Sequence, residues 1–175
     1  MTSGTPTSES ASRTDTFECT LESVPQSARR ARHLATSCLA DWGWGPDTQL
    51  SLSAALIIGE LTANAVVHGH ADDTSATFHF RMRLIPADEG RSVTTLRIDV
   101  TDSDTRQRPR LGDASLEARS GRGLLLVAGI ADRWGCDDNS PSGKTVWAEL
   151  AAPKEPDPPS GRSSAGASMS SPGRR

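Results

Sequence analysis

The chain has 175 residues, a net charge of -3 and 23% charged residues. This length is sufficient for one domain whose core needs no disulfide or metal to be stable. The near-neutral charge offers no basic field for nucleic acid, and three scattered cysteines without a CxxC pair indicate neither a disulfide framework nor a structural zinc site. We therefore expect a protein of the reducing cytoplasm, with no secretory signal in its polar N-terminus and no apolar run near the ~18 residues of a membrane span.

Both ends of the chain are rich in Ser, Thr, Pro and Gly. Residues 1–13 and 153–175 are predicted to be disordered tails, because they offer little apolar surface to bury. The folded domain is therefore expected to span residues 14–152.

The first part of this domain is predicted to contain a strand and two helices. The strand covers residues 14–21, and apolar residues at helical spacing predict a helix over residues 24–42. After a break rich in Gly and Trp, a second helix begins with Asp47 or Thr48 as its cap and runs to His68.

The second part is predicted to consist mainly of strands, of which the first two alternate apolar and polar residues. The predicted order is a strand over 75–85, a strand over 92–102, a basic loop or lid over 105–120, an apolar helix over 123–131, and strands over 133–138 and 145–150. Helices that come early and antiparallel strands that come late predict an α+β fold. We expect a two-layer α/β sandwich, whose mixed but mostly antiparallel sheet is covered on one face by helices.

The second helix carries Glu60, Asn64 and His68 four residues apart, and this spacing puts them on one face. Carboxylate and amide oxygens suit Mg²⁺, which takes few protein ligands and keeps waters or phosphates. Glu60 could also accept a proton from a hydroxyl or a water. A simply solvated polar face is the alternative. A zinc site of Glu60, His68 and His70 is disfavoured, because the HExxH spacing is absent.

Asp102 stands where the second of the alternating strands ends. A carboxylate at this position can accept a hydrogen bond from an exocyclic amine, such as the one at N6 of adenine. The alternative is an aspartate that only stabilises a turn.

Gly121 and Gly123, with Arg122 between them, come directly before the apolar helix. Glycines let the backbone approach an anion, and the helix start adds free N–H groups and a favourable dipole. A glycine hinge is the alternative. The motif is not a Rossmann fingerprint, since the third glycine would stand at position 126, which is Leu126.

The segment Gly143-Lys144-Thr145 matches the end of a phosphate-binding loop motif. That motif also needs glycine at position 138, which is Asp138. A hairpin turn that leads into the last strand is the better interpretation, and it leaves room for an approach to a nucleotide.

The order of these motifs resembles the Bergerat-fold ATPases, the superfamily of gyrase, mismatch-repair and histidine-kinase ATP-binding domains. More narrowly, it resembles the small stand-alone anti-sigma-factor serine/threonine kinases of actinobacterial type, over about residues 14–150. The resemblance implies that Asn64 holds Mg²⁺, that Glu60 is the catalytic base and that Asp102 binds adenine. The remaining ATP-binding residues that it implies are Gly121, Arg122, Gly123, Leu124, Lys144 and Thr145.

The chain departs from the family pattern in the adenine loop. This loop often reads D-x-G-x-G in the family, and residues 102–106 of this chain contain no glycine. The lid that follows is basic. Its arginines are Arg106, Arg108, Arg110 and Arg119.

The resemblance implies that the chain transfers the γ-phosphoryl group of Mg·ATP to a serine or threonine of a STAS-like anti-sigma antagonist. A sigma factor would be the second partner. Because relatives tend to form dimers, another copy of the chain is a further expected partner. Neither nucleic acid nor a membrane is expected as a direct partner. The alternative function is a non-catalytic module that grips a protein partner when ATP is bound.

Overall fold

The structure, a computed structural model, describes residues 15–68, 76–88, 93–103, 122–139 and 143–153. Three helices and five strands lie within these ranges. In chain order they are β1 (Thr16–Glu22), α1 (Pro25–Asp41), α2 (Gln49–His68), β2 (Thr77–Ile85), β3 (Thr95–Asp102), α3 (Arg122–Ile130), β4 (Arg133–Asp138) and β5 (Lys144–Ala151).

The five strands form one sheet in the order β1-β2-β3-β5-β4, and each of its four pairings is antiparallel. The helices pack on one face of this sheet, with α2 in contact with α1, α3 and the strands β2, β3 and β5. The predicted two-layer α+β sandwich is confirmed. The predicted tails, residues 1–13 and 153–175, lie outside the described residues except for Pro153.

Strict alternation along β2 and β3 builds the core between the two layers. The inward side chains of β2 are Phe78, Phe80, Met82 and Leu84, and all are buried. The register then sets apolar side chains opposite one another: Phe80 faces Val100 of β3, and Val100 faces Val146 of β5. Each large apolar side chain buried in this way stabilises the fold by roughly 1.5–3 kcal/mol.

Helix α2 is long and apolar, and the hydrogen bonds at its start show which of the two predicted caps is used. The Thr48 hydroxyl oxygen accepts a hydrogen bond from the backbone N–H of Ser51 at 3.3 Å, so that Thr48 and not Asp47 caps the helix.

By length and composition alone, the stretch Gln49–Val67 of α2 would be able to cross a membrane. A run of this length was not expected from the sequence. Burial of its side chains against α1, α3 and the sheet accounts for that composition.

The sheet face away from the helices carries charges instead of a second apolar layer. Asp99 of β3 is only 3% exposed. It accepts a hydrogen bond from Nε of Arg97 at 2.8 Å, and Nη1 of Arg97 donates to Glu149 at 3.1 Å. Two further arginines of β2, Arg81 and Arg83, approach the other oxygen of Asp99 at 3.5 and 3.8 Å. This group of ionic side chains is called the open-face network below.

Arg97 is the centre of the open-face network. Its guanidinium group lies 4.3 Å above the ring of Trp147, and that ring in turn lies against Gly135. Burial works to lower the pKa of Arg97, but the hydrogen bonds and charges of Asp99 and Glu149 outweigh it and raise the pKa above its ordinary value. Arg97 thus links the two buried carboxylates of the network.

Candidate functional site

Glu60 of α2 and Gly123 of α3 meet at one end of the candidate site. A side chain on Gly123 would overlap the Oε2 atom of Glu60, so that any larger residue here would displace the carboxylate from its position. Gly123 is the second residue of α3, and the N–H groups in the first turn of a helix have no partner within the helix. The site thus places a carboxylate beside a helix start that favours negative charge.

Asn64 follows Glu60 by one turn of α2 and shares its face. Its side chain is half-buried, between the buried core positions Leu61 and Ala65. Among the residues that the structure describes, no group of three His, Cys, Asp or Glu side chains could hold a metal ion. A cation at Asn64 would therefore take most of its oxygen ligands from a bound molecule and from water.

Asp102 and Lys144 form a buried ion pair at the end of β3 and the start of β5. The two residues are register partners, and Nζ of Lys144 donates to Oδ1 of Asp102 at 2.9 Å. Asp102 is 5% exposed and Lys144 is 7% exposed. Since Asp102 continues the inward series of Ile98 and Val100, the pair faces the helical layer.

Gly143 allows the end of β3 and the start of β5 to pack closely against each other. Its φ angle of 121° lies in the left-handed region, and a side chain there would overlap the backbone carbonyl oxygen of Asp102. The backbone N–H of Asn139 donates to the carbonyl of Gly143 at 2.9 Å, across the β4–β5 hairpin that the sequence predicts. The backbone that carries Asp102 and Lys144 is therefore tightly packed.

The side chains of Thr145 and Leu124 lie elsewhere. Thr145 sits on the open face of the sheet, where its hydroxyl group is 2.7 Å from that of Thr101 and accepts a hydrogen bond from Nδ2 of Asn139 at 2.7 Å. Leu124 is buried in the core. The side chain of Thr145 therefore lies on the sheet face opposite the pair of Asp102 and Lys144, and that of Leu124 packs in the core.

Three of the predicted features lie outside the described residues or reach only their edge. Gly121 and the lid over residues 105–120, with its four arginines, are outside them, as is His70 of the disfavoured zinc site. Arg122 is the first residue of α3, and His68 is the last residue of α2.

Sequence reasoning missed two contacts that define the site: the ion pair of Asp102 with Lys144 and the approach of Glu60 to Gly123. A signal for the first was present, because alternation along β3 and β5 turns both side chains toward the helices. The second had no local signal, since it depends on how α2 packs against α3.

Comparison with known proteins agrees with the fold. A family model described as a histidine kinase-like ATPase domain matches residues 21–150. Among solved structures, the RsbU and RsbW domains of Rv1364c from Mycobacterium tuberculosis are similar, with a TM-score of 0.53 and 21% sequence identity, over 78% of this chain and 32% of that chain. The likeness to this structure shows the fold, and the chain spans about a third of its length. Curated proteins give no match. Because the family model covers well over half of the chain, the protein belongs to the histidine kinase-like ATPase domains.

Proposed function

We propose that the chain is a cytoplasmic regulatory protein that binds Mg·ATP and transfers the γ-phosphoryl group to a serine or threonine of a small partner protein. One observation carries the proposal: the carboxylate of Glu60 lies at the start of α3, over a residue that has no side chain to exclude it. Membership of the histidine kinase-like ATPase domains supports ATP as the ligand.

The residues of the site fit a magnesium-bound triphosphate. Asn64 and Glu60 offer the hard oxygen donors that Mg²⁺ prefers, and Gly123 keeps the space next to them clear. The start of α3, with Gly121 and Arg122, suits the phosphates. When bound, the metal neutralises charge on the phosphates, which is a large part of catalysis in phosphoryl transfer.

The buried carboxylate of Asp102 suits the other end of the nucleotide. It faces the helical layer from the end of β3 and can accept a hydrogen bond from the 6-amino group of adenine. Lys144 beside it keeps a charged carboxylate acceptable in a buried position.

Glu60 is the residue that we propose to act on the nucleophile. In the transfer, the bond between the γ-phosphorus and the bridging oxygen of ADP breaks, and a bond forms from the hydroxyl oxygen of the partner to that phosphorus. The proton of the hydroxyl group passes to the carboxylate of Glu60. The start of α3 holds the phosphates in line during this exchange.

The partner that we propose is a STAS-like anti-sigma antagonist, with a sigma factor as the second protein of the switch and a second copy of this chain as a dimer partner. The proposal extends the sequence resemblance, and it agrees in fold with a solved chain named for its RsbU and RsbW domains. Proteins captured with the chain from its own host supply the candidates for the transfer assay.

The first prediction concerns transfer itself. Incubation with γ-labelled ATP is expected to label a captured partner, and Glu60→Gln to reduce the labelling rate by about 10²–10⁴-fold while ATP binding remains. The matched control is Glu22→Gln, the same change at an exposed position of β1, which should leave the rate unaltered. ATP binding without transfer in the unmodified protein would identify the non-catalytic, ATP-gated module instead.

The second prediction concerns Asn64. Asn64→Ala should remove the dependence of ATP affinity on Mg²⁺, because the amide oxygen is the proposed protein ligand of the metal. Isothermal titration with and without Mg²⁺ measures this, and circular dichroism checks that the helix content is retained. Equal Mg²⁺ dependence in the variant and in the unmodified protein would show that Asn64 does not hold the metal.

A further inference from the structure

We propose that Lys144 sets the base preference of this site, because it holds Asp102 in the ionised form that accepts a hydrogen bond from adenine. This inference rests on the proposed binding of ATP. It starts from the 2.9 Å contact between Nζ of Lys144 and Oδ1 of Asp102, which joins two side chains that are both more than nine-tenths buried.

The protonation state of Asp102 decides which bases it can pair with. An ionised carboxylate only accepts hydrogen bonds, whereas a protonated one can also donate. Adenine presents a 6-amino donor, and hypoxanthine and guanine present a 6-oxo acceptor. An ionised Asp102 therefore favours adenine, while a protonated Asp102 could donate to a 6-oxo base.

Lys144 is a cation in direct contact with Asp102 and stabilises its ionised form. Burial of a carboxylate disfavours its charged form, and a cation in contact with it restores that form. Removal of the ammonium group of Lys144 would leave the burial of Asp102 less compensated and would shift its balance toward the protonated form.

The position of Lys144 is fixed rather than incidental. Lysine side chains on a protein surface move freely, but Lys144 is 7% exposed and lies directly across from Asp102 in the sheet. Gly143, one residue earlier, packs against the backbone of Asp102. The pair is thus built into the junction of β3 and β5.

The experiment compares affinities for ATP and for inosine triphosphate, which carries a 6-oxo group in place of the 6-amino group. The unmodified protein is expected to prefer ATP. Lys144→Met is expected to lower the ratio of the two affinities by about 10- to 100-fold, the contribution of a hydrogen bond to a charged group. Lys144→Arg restores a cation and should recover the preference.

A second variant guards against loss of the fold. Lys144→Gln keeps a hydrogen-bond donor to Asp102 but removes the charge, and it should lower the ratio in the same direction as Lys144→Met. If either folded variant loses affinity for both nucleotides equally and keeps the preference for ATP, Lys144 is only structural and the inference is wrong. If the unmodified protein binds neither nucleotide, the proposed function itself fails and the inference falls with it.

Discussion

At the scale of single residues, two glycines decide how closely the parts of the site approach each other. Gly123 admits the carboxylate of Glu60 to the first turn of α3, and Gly143 admits the backbone of Asp102 to the start of β5. At both positions a methyl group would occupy space that another residue already fills. The first contact joins the proposed catalytic base to the phosphate end, and the second supports the base-binding end.

Gly123→Ala tests the first contact, and the same helix provides the control. The added methyl group should displace the Glu60 carboxylate and lower the rate of phosphoryl transfer by about 10²-fold, since misplacement of ~1 Å costs that much. Gly129→Ala, also in α3, meets open space and should stabilise the helix by about 0.5–1 kcal/mol without a change in rate. Equal rates in the two variants would mean that Glu60 does not act from this position.

At the scale of elements, the open-face network replaces the second layer that would otherwise cover the sheet. Asp99 and Glu149 are buried carboxylates on neighbouring strands, and Arg97 donates to both. Alternation made this face partly predictable, because polar or charged residues alternate with apolar ones along most of β2 and β3. The pairing of Arg97 with Glu149 was not predictable, because it depends on the register between β3 and β5. These strands are distant along the chain: Asp102 and Lys144, which pair across them, are 42 residues apart.

Arg97→Met tests how much the open-face network stabilises the sheet. Removal of the central cation leaves two buried carboxylates poorly compensated and should lower the free energy of unfolding by about 3–5 kcal/mol. Arg133→Met is the matched control, because Arg133 also contacts Glu149, at 3.4 Å, but is 68% exposed, and the expected change is within about 0.5 kcal/mol. Urea denaturation followed by circular dichroism measures both. Similar losses in the two variants would contradict a special role for Arg97.

At the scale of the whole molecule, sequence patterns placed the bounds of the described elements within about two residues, except that the strand predicted over 92–102 begins at Thr95. Helix caps and alternation are local signals, and the strand at Arg133–Asp138 matches its predicted range. The contacts of the site depend instead on packing between distant segments, as with Glu60 and Gly123. The register also decides which face of the sheet carries the side chain of Thr145. That side chain contacts Thr101 on the open face, and the role of Thr145 in nucleotide binding stays a prediction.

The stability of the whole domain should fall at alkaline pH. Burial raises the pKa of the Cys19 thiol above 9.0, against the opposing charge of Arg30, and burial together with Asp41 and Asp15 raises that of Cys38. A raised pKa in the folded state means that stability is complete below pH 9.0, the unfolded value, and is lost as the pH rises through the folded value.

Urea denaturation between pH 8 and pH 11 checks this expectation. The double variant with Cys19→Ala and Cys38→Ala serves as the comparison, because it lacks both thiols. Its stability should fall less steeply with pH than that of the unmodified protein. Identical slopes would show that the two thiols titrate alike in the folded and unfolded states.

The stacking of Arg97 on Trp147 also provides a natural optical reporter. The chain has four tryptophans and no tyrosine, and none of the four is among the residues proposed to touch the nucleotide. Trp147 lies on the sheet face opposite the ion pair of Asp102 with Lys144, beneath a guanidinium group that affects indole emission. The part of an ATP-induced fluorescence change that Trp147→Phe removes would therefore report movement transmitted through β5 rather than contact with the base. Comparison of the two proteins thus detects coupling between the two faces of the sheet without an added label.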